Sequence, residues 1–195
     1  MVLLLGCAFE IIMTPSEEES FEAALLTDFD SIRTRISKID VKNADAFEKA
    51  DKETIWQLVS NEMGFVRVNE AVMAKLQDWL ATTALAALDK LPQSERGVST
   101  LINQVAVLLE EQGKLQQAEP LCIEALDACR ATLGNHHRNT LNTEGNYGIL
   151  LLKQLNSDGL STVQSVLQQL QSAPHQPETH KWICKFKQAL EESEI

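Results

Sequence analysis

Aromatic residues supply only 5% of this chain of 195 residues, and a single Tyr stands among them. The 8 Gly and 5 Pro fall between periodic segments, and no stretch alternates apolar and polar residues convincingly enough to mark a strand. Basic residues are also short, 17 Lys and Arg against 28 Asp and Glu, for a net charge of −11. A field of that sign repels nucleic acid and anionic membrane surfaces, so neither is expected as a partner. The 4 cysteines, Cys7, Cys122, Cys129 and Cys184, have no framework spacing, and no N-x-S/T sequon occurs. Both absences point to a reducing, cytoplasmic setting. Missing too are G-x-S-x-G, H-E-x-x-H, phosphate-binding and dinucleotide-binding glycine patterns, which argues against an enzyme.

What is there is a mix of Ala, Leu, Gln, Glu and Lys that favours helix throughout, at an ordinary 44% hydrophobic content. Residues 1–13, MVLLLGCAFEIIM, are apolar but contain Glu10, lack a basic stretch and are too short to span a bilayer. LLGC resembles a lipoprotein cleavage box, yet too few residues precede it for an export signal. The segment reads as a frayed or core-docking terminus, or the rest of an upstream helix. An N-terminal helical region of three helices follows over 14–92. Thr14 can cap the first, Pro15 fits its first position and Glu17 can close a capping box. Phe21, Leu25, Phe29, Ile32, Ile36 and Ile39 then form one apolar stripe. Its steps also suit a coiled coil, but with fewer than four heptads the expectation is packing on its own domain, with pairing of two copies through the 14–39 helix as the alternative.

Val41 to Ala50 reads as a polar connector and Asp51 to Met63 as a second helix, with Ile55, Trp56, Val59 and Met63 inward and Gly64 as its stop. Asn69 is expected to cap a third, long helix bearing Val72, Met73, Leu76, Trp79, Leu80, Leu88 and Leu91. Pro92 should end it, with PQSERG as a link at a soft boundary near 92–97.

From Leu101 the pattern changes. Leu101, Val105, Leu108 and Leu109 give one amphipathic helix, Gly113-Lys114 breaks it, and Leu115, Ala118, Leu121, Cys122, Ala125 and Leu126 give a second. So short a link makes the two antiparallel neighbours. Ala106 should face Ala118 and Ala125, where methyl groups let backbones approach closely. The hairpin then recurs. Gln104-Val-Ala-Val-Leu-Leu lines up with Asn146-Tyr-Gly-Ile-Leu-Leu, and Gln112 with Gln154, at an offset of 42 (146 minus 104, 154 minus 112), so Gly148 replaces Ala106. The same offset puts Leu160, Gln164 and Leu167 in place of Ala118, Cys122 and Ala125 in a helix from Asp158 to Gln171. Bulk and polarity there suit a terminal unit. A last helix, Glu178 to Glu192, should bury Trp182, Ile183, Phe186 and Leu190 as a cap.

NQVAVLLEEQGKLQQAEPLCIEALDACRATLGNHHRNTL resembles the kinesin-light-chain type of tetratricopeptide repeat, which writes N-N-L-A-x-L-L-x-x-Q-G-K-Y-x-x-A-E-P-L-Y-x-x-A-L and then L-G-x-x-H-P-x-T-L. Asn103, Ala106, Leu108, Leu109, Gln112 to Lys114, Ala118 to Leu121, Ala125, Leu126, Leu133, Gly134, His137, Thr140 and Leu141 fit that pattern. Leu115 and Cys122 replace aromatics, and Arg138 replaces Pro. The resemblance implies an all-α, right-handed solenoid over 98–195 and a non-catalytic scaffold or adaptor for a protein or peptide partner. It also implies a concave groove lined by the first helix of each unit, in which paired asparagines bond a peptide backbone. The matching positions are Asn103 and Asn146, with Gln104 keeping an amide; Val107, Glu110, Glu111, Asn142, Ile149 and Lys153 share that face. Amides suit the task because each offers donor and acceptor together. The other reading is that these amides are exposed helix residues or cap one another. Gly145 stands where the family has Asn.

No cofactor or metal site is expected. Cys122 and Cys129 lie two helical turns apart, too far for one tetrahedral ion with His136 and His137, so a buried apolar thiol is the simpler reading of Cys122. His137 matches a loop histidine of the family with a turn or capping role, and His136 reads as solvated. Two further functional classes stay open: a structural subunit using the 14–39 helix, and an enzyme with an N-terminal pocket near Trp56 and Trp79.

Overall fold

The computed structural model describes residues 11–43, 49–60, 64–172 and 177–193. Expectations resting on residues 1–10 and on Met63 lie outside that set. Among the described residues every regular element is helical: α1 (Pro15–Ile36), a 3-10 turn (Val41–Asn43), α2 (Lys49–Leu58), α3 (Gly64–Asp89), α4 (Gln93–Arg96), α5 (Thr100–Glu111), α6 (Leu115–Leu133), α7 (Arg138–Lys153), α8 (Asp158–Ser172) and α9 (Pro177–Ser193). The chain divides into two compact units, Met1–Ala84 and Leu85–Ile195. The division falls inside α3, ahead of the link expected at 92–97.

In the first unit the capping box forms as the sequence requires. The Glu17 N–H donates to Thr14 Oγ1 at 3.4 Å and the Thr14 N–H donates to Glu17 Oε2 at 2.8 Å. The apolar stripe of α1 is used locally. Leu25 and Phe29 are buried and Phe21 stacks on Trp79, with ring centroids 5.0 Å apart. A break at Asp28 (φ −145, ψ 41) divides α1 in the middle of that stripe. Two expectations are corrected here, that Ile55 and Trp56 point inward and that Asn69 caps the third helix. Ile55 and Trp56 are 53% and 41% exposed, although Trp56 packs edge-on to Phe65. Gly64 opens α3 at φ +72, and its expected role as the stop of the helix before it rests on residues 61–63, outside the described set. Asn69 therefore lies within α3 and caps nothing at its start; its Oδ1 accepts the Val41 N–H at 3.1 Å.

The second unit is built of stacked hairpins. α6 packs against α5 and α7, α8 against α7 and α9, and α7 also touches α5 and α9. Ala106, Ala118 and Ala125 are buried, as are Leu101, Val105, Leu108 and Leu109. PQSERG is more than a link: it holds α4, whose Arg96 pairs with Asp89 and donates from Nε to Glu124 Oε1 at 2.8 Å. Pro120 and Gly145, Gly148 and Gly159 all sit inside helices, contrary to the separation expected from sequence.

The register of α8 also corrects the alignment. Gly159, Val163, Val166, Leu167 and Leu170 are the buried positions, matching Ala118, Cys122, Ala125, Leu126 and Cys129 at an offset of 41 (159 minus 118, 170 minus 129). Leu160 and Gln164 are exposed instead. Gly113 and Leu155, both of positive φ, still match at 42, so one residue is lost between this turn and the helix after it. The close approach that Leu160 would block is made by glycines. A Cβ on Gly159 would stand 2.6 Å from Leu152 N, and one on Gly148 would stand 2.7 Å from Val163 Cγ2. Leu141, Ile149, Val163, Val166, Leu170, Ile183 and Phe186 close the core of this end.

Candidate functional site

The face that the repeat pattern singles out belongs to α5 and α7. A helix repeat brings equivalent residues of successive first helices side by side, so the 42-residue offset pairs Gln104 with Asn146, Val107 with Ile149 and Glu111 with Lys153. The nine expected residues have three different fates.

Asn103, Asn146, Glu110 and Lys153 bond within the protein to named partners, and Glu111 is engaged as well. The half-buried Asn103 donates from Nδ2 to Thr143 Oγ1 at 3.0 Å, tying α5 to α7. Asn146 is only 7% exposed, and its Oδ1 accepts from Lys185 Nζ at 3.0 Å, tying α7 to α9. The Glu110 carboxylate, 5% exposed, meets Lys153 Nζ at 2.7 Å. A carboxylate this buried needs such a partner, since an unpaired buried charge costs about 3–5 kcal/mol. Ile149 belongs to the core. Gln104, Val107 and Asn142 are half-buried, and Glu111 is exposed. The edge open to a visitor is thus narrower than the expected row, and its centre is crossed by internal bonds.

Two partners of this face, Thr143 and Lys185, were not singled out from sequence, and Gly145 was noted only for standing where the family has Asn. Thr143 accepts the Asn103 bond while its oxygen lies 4.0 Å from Cys129 Sγ. Lys185 reaches Asn146, and a signal for it existed: buried Thr140 and Thr179 are 39 apart, and so are Asn146 and Lys185. Gly145 has a packing reason. A Cβ there would lie 2.2, 2.5 and 2.7 Å from three ring carbons of the fully buried Phe186. Glycine at that position is what lets α9 lie on α7.

Around this face the chemistry is quiet. Burial, reinforced by the Glu110 charge, pushes the Cys122 thiol up to about 12, so it stays protonated and unreactive near neutrality. His137 is the N-cap of α7, its Nδ1 accepting the Asn139 N–H at 3.2 Å. His136 is exposed, with Nδ1 3.1 Å from Gln169 Oε1. It lines a polar recess of about 290 Å³ with Arg130, Asn135, Glu144 and Gln169, in which Arg130 pairs with Glu144 at 2.9 Å. Trp79 and Trp56 pack on Phe21 and Phe65. Among the described residues, no group of three or more His, Cys, Asp or Glu could hold a metal, and no helix is long and apolar enough to cross a membrane.

Residues 97–158, roughly a third of the chain, match the tetratricopeptide repeat family. The match covers α5, the α5–α6 turn, α6 and α7 and ends at the start of α8. Repeats of this family generally mediate protein–protein interaction and are typically non-catalytic. No curated protein matches the sequence.

Proposed function

We propose that this protein is a non-catalytic scaffold or adaptor that docks an extended peptide of a partner protein across α5 and α7. The observation that carries the reading is the contact between the two first helices, backed by α6 and α8, with Gln104, Val107 and Asn142 half-buried on them. A half-buried amide can still pair with a peptide unit, and a half-buried valine supplies an apolar contact beside it. The resemblance to repeats of the kinesin-light-chain type supports the same face. Here Asn103 and Asn146 serve as braces that hold the surface in shape, while Gln104 and Asn142 make the peptide contacts. Two units bury little ligand area, so affinity is in the micromolar class.

The test is a random peptide display on the purified chain, followed by affinity measurements on the selected peptides. Gln104→Arg and Val107→Arg should each weaken binding about tenfold or more, since each puts a bulky cation on the docking edge. Ile123→Arg, on an exposed position of α6, should leave it unchanged. Selected peptides that bind Val107→Arg and the parent chain equally well would refute the proposal.

A further inference from the structure

The last helix carries two side chains that the peptide face does not use. His180 and Cys184 stand at i and i+4 on α9, so they share one side of the helix, and both are exposed. His180 Nε2 lies 3.7 Å from Cys184 Sγ. In a tetrahedral zinc site the thiolate lies about 2.3 Å from the ion and the imidazole nitrogen about 2.0–2.1 Å, which sets the two donor atoms about 3.5 Å apart. The pair therefore already spans close to one edge of that tetrahedron. Helical backbone holds the spacing, so little ordering is needed on binding.

We propose that His180 and Cys184 form a two-ligand chelating edge for a soft divalent metal ion of the zinc type. The donor set decides the class. One imidazole nitrogen and one thiolate suit zinc and its neighbours, whereas calcium and magnesium require oxygen ligands. On binding, the Cys184 thiol gives its proton to solvent as the sulfur–metal bond forms. His180 stays neutral, its proton on Nδ1 and the Nε2 lone pair on the metal; water fills the two remaining positions. The one-turn spacing distinguishes this pair from Cys122 and Cys129, which lie two turns apart and are buried. The inference is independent of the peptide-docking proposal, because α9 presents the pair whether or not α5 and α7 bind anything.

Cobalt(II) is the probe, since a cobalt–thiolate bond gives a near-ultraviolet charge-transfer band. The full chain is used in a Cys7→Ser background, which removes the one cysteine outside the described residues. The expected result is a band that saturates at one cobalt per chain and is displaced by zinc. Cys184→Ser should abolish it, and His180→Asn should weaken cobalt binding by about tenfold or more. Both residues are exposed, so neither change disturbs the core, and circular dichroism verifies the fold. A band of equal intensity in Cys184→Ser, unchanged affinity in His180→Asn, or no thiolate band at excess cobalt would each overturn the assignment.

Discussion

Replacing Gly145 with alanine separates this structure from an ordinary helix. Glycine inside a helix costs about 0.8–1.0 kcal/mol relative to alanine, so propensity alone makes Gly145→Ala stabilising. The packing says the opposite. The added methyl would meet three carbons of the Phe186 ring at 2.2, 2.5 and 2.7 Å, and that ring is enclosed by Leu141, Ile149 and Ile183 in the terminal core. Overpacking of a filled core costs typically about 1–3 kcal/mol, and three simultaneous overlaps with a ring that cannot swing aside belong at the upper end. Subtracting the propensity gain leaves a net loss of about 2 kcal/mol. In a chain of this length that lowers the melting temperature by about 4–8 °C. Thermal unfolding by circular dichroism measures the loss, and hydrogen exchange should localise it to faster opening of residues 177–193. Phe186→Leu in the same chain removes the obstructing ring edge. The double variant should then lose at least about 1 kcal/mol less than the sum of the single losses. A rise in melting temperature for Gly145→Ala, or strict additivity with Phe186→Leu, would refute the packing argument.

Three further outcomes follow from the same geometry. Leu155 is 94% exposed at φ +58, where the first repeat has Gly113 at φ +73; Leu155→Gly should stabilise by about 0.5–1 kcal/mol in urea unfolding, while Leu155→Ala changes little. Cys122 has a folded pKa raised above its unfolded value, so its contribution is complete below about pH 9 and is lost as pH rises toward 12. The stability difference between the parent chain and Cys122→Ala should shrink by about 1.4 kcal/mol between pH 8 and pH 10. Glu17 is held below the usual carboxylate range by the Thr14 N–H and hydroxyl, so its capping contribution is present above the unfolded pKa and fades as pH falls through the lower folded value. Glu17→Gln should lessen the acid-induced loss of helicity at residues 15–20, read by amide exchange.

The hairpin α5–α6 was legible because its determinants are local: alanine and leucine at helical spacing, and a Gly-Lys turn between two periodic runs. The cap of α1 was legible for the same reason. The second hairpin was read in the wrong register because one missing residue after the Leu155 turn moves every side chain of α8 by a position. Nothing in the local pattern of α8 contradicts either register until Gly159 is seen against Gly148 O, 3.0 Å from where its Cβ would be. The site was half legible. The residue types of Asn103 and Asn146 announce hydrogen bonding, but their partners, Thr143 and Lys185, lie 40 and 39 residues away and are chosen by the stacking of helices. Ile55 and Trp56 misled because helical spacing gives an apolar face without saying whether anything covers it.

The central claim is that the α5–α7 face receives a peptide while its asparagines stay engaged internally. Amide chemical-shift mapping of the isotope-labelled chain during titration with a display-selected peptide tests it most directly. The account predicts perturbations concentrated at Gln104, Val107, Glu111 and Asn142, with the side-chain amides of Asn103 and Asn146 nearly unmoved. Perturbations centred on α6 and α8, with α5 and α7 silent, would contradict it.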